Sequence, residues 1–183
     1  FMKRVIKILL VADAFMTLAL GMLGPIYAIF VERIGGDLLD ASWAYFTFMI
    51  TSGIVMYEIS RWENHVKHKE KLIFSGYLLG ALGCLLYYFV FNQFTLLITQ
   101  IVLGFSVAIL SPAFDALYSD YTNKKEEASD WGAWESMGYI VTALAALIGG
   151  YVANIFGFKT LFIIMFIVAL FGALFSLRLF KKK

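Results

Sequence analysis

Six apolar, charge-poor segments, near 8–31, 41–57, 72–91, 94–114, 136–153 and 160–177, leave this chain few ways to fold. Each is about as long as a helix needs to be to cross a hydrocarbon core, roughly 20 residues. The cations between them are sorted by side. Of fifteen Lys and Arg residues, only Arg33 and Lys159 fall on one side of the alternating series. Lys3, Arg4, Lys7, Arg61, Lys67, Lys69, Lys71, Lys124, Lys125, Arg178, Lys181, Lys182 and Lys183 fall on the other. Cationic loops resist translocation, so the expectation is a multi-pass protein of the inner (plasma) membrane with both termini cytoplasmic. A soluble helical protein would have to carry 61% hydrophobic residues and a mean hydropathy of +0.81, which composition argues against.

The predicted class is therefore all-α, one six-helix transmembrane domain over 1–183, with the lipid bilayer as its first partner. Short loops leave no room for a separate soluble domain. The net charge of +2 says little, because the basic residues sit at span ends where orientation and snorkelling explain them. No nucleic-acid partner is expected. The single Cys84 lies inside the third span and excludes an intrachain disulfide or zinc framework. His65 and His68 lack an acid or cysteine cluster to complete a metal site, so no metal and no cofactor are expected. No phosphate loop and no nucleophile–base pair occurs, so no enzyme is expected. The first span is too long and too uncharged at its far end for a cleaved signal peptide. Phe1 before Met2 is expected to be an expression remnant.

The first helix is predicted from about Lys3 to Phe30, and the second between the interfacial aromatics Trp43, Tyr45 and Trp62. Gly76, Gly80 and Gly83 give the third helix a small face for close contact. The fourth is expected to end near Tyr121, and the fifth to start from an N-cap at Ser129 or Asp130. That fifth helix has a small face of its own through Gly138, Thr142, Ala145, Gly149 and Ala153. The only prolines, Pro25 and Pro112, lie late in helices one and four. If 1–91 and 92–183 are three-helix repeats, these helices are counterparts, and the odd count makes the repeats inverted. Interrupted spans at matching positions of inverted repeats point to a transport site, although proline kinks are also tolerated without one.

The stretch Gly21-Met-Leu-Gly24-Pro25-Ile-Tyr27, with Val31-Glu32-Arg33-Ile34-Gly35, resembles the first helix and outer loop of major facilitator superfamily transporters. Leu103-Gly104 through Ser111-Pro112-Ala113 to Gly149-Gly150 is similar to that family's fourth and fifth helices. The loop Trp62 to Lys69 resembles its signature between helices two and three, in degraded form. Ile59 stands at the usual glycine, Glu63 at the acid and Asn64 at the arginine. Gln100 stands where many members place an arginine associated with proton coupling. The antiporter-type signature at Ala145 to Gly150 lacks its proline. These departures put classical drug/proton antiport in doubt without excluding transport.

The resemblance covers the whole chain but only one six-helix half of a fold that normally has two. It implies a half-size transporter working as a parallel homodimer by alternating access, with helix two of one chain facing helix five of the other. The small face of helix five is expected to serve that contact. The truncated N-terminal half of a twelve-helix transporter, and a non-transporting membrane scaffold or accessory subunit, stay open as alternatives.

Asp13 is the one carboxylate well inside a span, roughly 9 Å beyond Lys7 at 1.5 Å per residue. Intramembrane acids mark functional sites by default, and burial makes reversible protonation feasible there. Asp13 is the candidate for proton coupling, in a symporter reading; a structural pairing with a Lys or Arg is the competing one. Thr17 and Gly24 share its helical face. Pro25, Gln100, Ser106, Ser111, Pro112, Tyr45, Thr51 and Tyr139 complete the candidate cavity lining, which suits a small, sugar-like solute. Interhelical hydrogen bonds are the commoner use of such groups. Glu63, Asp115 and Asp120 are candidates for a cytoplasmic gate, with solvated loop-edge acids as the alternative.

Overall fold

The computed structural model of the chain describes residues 3–181. Its helices are α1 (Arg4–Gly21), α2 (Tyr27–Arg33), α3 (Leu38–Glu63), α4 (Lys69–Tyr87), α5 (Gln93–Tyr121), α6 (Glu127–Phe156) and α7 (Phe158–Ser176). Short 3₁₀ turns occupy Gly24–Ile26 and Leu177–Phe180. With α1 and α2 taken together, six helical segments are long and apolar enough to cross a membrane. The protein is all-α and multi-pass. The rim where α1 begins and α7 ends is called the basic rim below, and the opposite one the far rim.

Local sequence accounts for the element ends. On the far rim, Asp37 caps α3 in a reciprocal box with Asp40, and Asn92 caps α5 the same way with Thr95. These caps move the start of α3 to Leu38, ahead of the aromatics expected to open it. Gly157, at φ +82°, turns the chain between α6 and α7 in a conformation that L side chains rarely adopt. The fifth span begins at Glu127, with Glu126 as its N-cap, so Ser129 and Asp130 are not caps. Asp130 instead lies in the first turn, where a carboxylate suits the helix dipole.

The two prolines act differently. The first span breaks at residues 22–26, where Gly24 and Pro25 form the 3₁₀ turn. The α5 helix runs unbroken through Pro112. Glycines at 21 and 24 lower the cost of leaving helical geometry at the first site. Close packing holds α5 to its axis at the second, where a Cβ on Gly76 of α4 would lie 2.7 Å from Leu110 Cβ.

The helices pack in an arc. The α5 helix lies against α3 and α4, α4 against α7, and α1 against α7 and α6, while α1 and α5 touch lightly across the middle. Exchanging α1 with α5, α3 with α6 and α4 with α7 returns these six pairs, although α6 also touches α7 and α1 touches α4 without comparable counterparts. Small residues make the closest approaches, as expected where lipid removes the usual hydrophobic drive. Gly80 admits Met16 and Ser106, and Gly172 admits the Ala12 carbonyl. The small face of α6 is spent inside the chain: Gly149 lies against the Met22 backbone, and Ala145 Cβ is 2.9 Å from where a Cβ on Gly21 would sit. The expectation that this face serves a second copy is thus corrected for Ala145, Gly149 and Ala153, all buried. Its reason is the break in the first span, whose irregular backbone needs a glycine opposite it.

Candidate transport site

Two polar hubs lie within the arc, one toward each rim. In the first, Asp13 is half-buried between three helices. Its Oδ2 accepts from Trp134 Nε1 of α6 at 2.8 Å, and its Oδ1 from the Tyr77 hydroxyl of α4 at 3.2 Å. Both donors are neutral. Among the described residues no Lys or Arg pairs with Asp13, so its partners differ from the cation of the competing structural reading. Trp134 is fixed in turn by an aromatic cluster, with ring centroids 5.3 Å from Phe114 and 5.6 Å from Trp131.

In the second hub, Gln100 of α5 is 5% exposed and its Nε2 donates to the hydroxyls of Tyr27 and Tyr87, each at 2.9 Å. Tyr87 is held by stacking on Phe162 at 5.3 Å and by Phe30 edge-on at 5.9 Å. Beside this hub lies a cavity of about 260 Å³, bounded by Leu23, Gly24, Tyr45, Phe48, Leu103 and Ser106 among others. The same shift along the chain that carries Pro25 onto Pro112 carries Asp13 onto Gln100. The two hubs are therefore centred on matching positions of the exchanged helices.

Of the residues singled out from sequence, Gly24, Tyr45, Gln100 and Ser106 line this cavity. Ser106 also donates to the Gly76 carbonyl at 2.8 Å, a bond joining α5 to α4. Thr51 packs where Gly104 admits it, between α3 and α5. Tyr139 is 76% exposed on α6. Thr17, Ser111 and Pro25 do not border the cavity. Asp13 and Gly24 share a helical face in sequence, but the turn at 22–26 puts them in different surroundings.

Glu63 is the last residue of α3, not a loop residue, and is 5% exposed with neither carboxylate oxygen hydrogen-bonded. It borders a cavity of about 180 Å³ with Asn64, Lys69 and Pro112. Asp120 pairs with Lys69 at 3.2 Å, tying α5 to α4 within one chain, and Asp115 is exposed.

Tyr27, Tyr77, Tyr87 and Trp134 were not among the site residues expected from sequence. Tyr77 beside Gly76 and Gly80 carried a weak signal, a polar ring on a close-contact face. Nothing local marks the other three: Tyr27 and Trp134 meet partners 73 and 121 residues away, and Tyr87 meets Gln100 13 residues on, across the turn between α4 and α5. The outer surface separates into two kinds. Exposed positions on α7 are apolar through the membrane, at Ile163, Ile167, Phe171 and Leu174. The α3 helix exposes Ser42, Tyr45, Met49, Gly53 and Tyr57 beside apolar Phe46, Ile50 and Ile54, and α6 exposes Glu135, Tyr139 and Thr142 in its basic half and apolar Leu144, Leu147 and Ile148 beyond them.

A family model described as Major Facilitator Superfamily matches residues 9–183. No curated protein is similar enough to the chain to match it.

Proposed function

Because the chain belongs to the Major Facilitator Superfamily and is a transporter of that superfamily, we propose that two parallel copies enclose one solute pathway and work by alternating access. The carrying observation is the exposed polar stripes on the helices at the two ends of the arc, Ser42, Tyr45 and Tyr57 along α3 and Glu135, Tyr139 and Thr142 in the basic half of α6. Facing lipid, such stripes would be poorly solvated; facing another copy across water, they are satisfied. Twofold symmetry places α3 of one chain against α6 of the other. Exposed Arg61 near the basic end of α3 and exposed Glu135 near that of α6 have complementary charge for the pairing.

In this reading 1–91 and 92–183 are inverted repeats, supported by the packing pattern and by the Asp13–Gln100 equivalence. The basic rim is cytoplasmic in an inner membrane. Asp13 takes up and releases the coupling proton, supported by a carboxylate held by neutral donors. Gly24, Tyr45, Gln100 and Ser106 face solute; Glu63, Asp115 and Asp120 control the cytoplasmic side. Thr17, Pro25, Thr51, Ser111, Pro112 and Tyr139 act through helix shape and the shared face.

The test is aqueous accessibility. On a Cys84→Ala background, single cysteines at Gly24, Tyr139 and Thr142 should react with a membrane-impermeant maleimide, and those at Ile163 and Ile167 should not. Equal protection of both groups would contradict a wet pathway.

A further inference from the structure

The cavity beside Gln100 carries a statement about its occupant, resting on the reading of this bundle as a transporter. No charged side chain borders it. Its walls are Leu23, Phe48, Leu103, Met165 and the rings of Tyr27 and Tyr45. Several of the hydroxyls that favoured a sugar-like solute are engaged or elsewhere. Ser106 is donating to Gly76, Thr51 is packed between helices, and Tyr139 and Ser111 do not border the space.

What remains polar is compact and placed at one end. Both Gln100 N–H bonds are directed to Tyr27 and Tyr87, so its carbonyl oxygen is the unspent group. The two phenols accept from that amide, which leaves each phenolic hydrogen free to donate. A sugar would bury many hydroxyls against apolar walls with too few partners, and a charged solute would be buried with no counter-ion. A flat apolar body fits the rings, and a single polar end meets one acceptor and two donors.

We propose that this site binds an uncharged, mainly apolar or aromatic molecule bearing one hydroxyl-like polar group, held by Gln100, Tyr27 and Tyr87. Selection works by exclusion of charge: burying an ion without a partner costs more than the apolar contacts return.

The experiment uses the full chain in phosphatidylcholine nanodiscs and probes of one ring size: 1-naphthol, 1-naphthylmethylammonium and naphthalene-1-sulfonate, with glucose as the polar comparison. Binding of 1-naphthol should be saturable above lipid partitioning, and at least tenfold tighter than that of either ion. Glucose should not compete. Gln100→Leu should weaken naphthol binding about tenfold. Gly24→Leu, whose new side chain starts from open space beside the cavity, should block it without disturbing packing. Tight binding of an ion or of glucose, or naphthol binding that is unsaturable or unmoved by both variants, would overturn the proposal. The maleimide pattern separates this result from the transporter reading: a wet pathway without saturable naphthol binding sinks only the solute class. Naphthol binding with no wet pathway sinks the transport role and leaves the site.

Discussion

The hubs at Asp13 and Gln100 occupy matching positions in the two halves of the arc, yet one holds an acid and the other an amide. Each is gripped by two aromatic side chains, Tyr77 and Trp134 in one case and Tyr27 and Tyr87 in the other. The Gln100 hub opens on a cavity; the Asp13 hub ties α1 to α4 and α6. An amide can orient a solute but cannot change charge at ordinary pH, whereas a carboxylate can. In the proposed reading, the same frame thus serves two different functions through one change of residue type. In the proposed dimer, each occurs twice around the pathway.

Substitutions at the two hubs should separate those functions. The largest effect is expected from Asp13→Asn, which keeps the shape and removes the titratable group. Uptake against a gradient should be abolished while downhill flux persists; unchanged proton-driven uptake would remove Asp13 from the coupling role. Next, Gln100→Leu should weaken solute binding about tenfold, near 1.4 kcal/mol, and leave proton dependence intact. Binding and proton-driven flux measured on the same preparation would show whether the hubs are separable. Trp134→Phe strips one of the two donors from Asp13 but keeps the ring cluster. A loss of about 1–3 kcal/mol is expected, read as reduced proton-driven uptake with normal downhill flux. The smallest effect belongs to Ser106→Ala, which releases the Gly76 carbonyl. Unfolding in detergent should shift by about 0.6 kcal/mol, the usual size of an interhelical bond in a membrane.

Much of the frame was legible in the sequence. Six spans and their alternation follow from hydropathy and the sorting of lysines, and the two exceptional cations have a local explanation. Arg33 rests on the ring of Phe158 and Lys159 on that of Tyr88, so each is held at the far rim by an aromatic face. Turn chemistry was less legible: the caps at Asp37 and Asn92 act through side chain to backbone bonds that leave no mark on hydropathy. Gly21 and Gly24 mark the site at Pro25 in the sequence, but the packing of Leu110 against Gly76, which helps keep α5 unbroken at Pro112, is visible only in the structure.

The candidate site was legible only in its centres. Asp13 stands out because an acid in an apolar run is costly, and Gln100 because the family resemblance drew attention to that position. Their partners could not be read locally. Tyr77 is 64 residues from Asp13 and Trp134 is 121 residues away, while Tyr27 is 73 residues from Gln100. Helical periodicity says which side of a helix a residue takes, not which neighbour it meets. The small face of α6 is the instructive failure, since a stripe of glycine and alanine marks a close contact without saying whether the partner is the same chain.

The central claim, that two copies flank one pathway through α3 and α6, is tested most directly by cross-linking at mid-membrane. Gly53 and Thr142 lie on the exposed sides of these helices, and a Cβ at position 53 meets open space. Two differently tagged Cys84→Ala chains, one with Gly53→Cys and the other with Thr142→Cys, would be produced together in membranes and oxidised. The account predicts a covalent species of twice the chain mass carrying both tags. Single-mass chains only, under conditions where both cysteines are shown to be reactive, would contradict it.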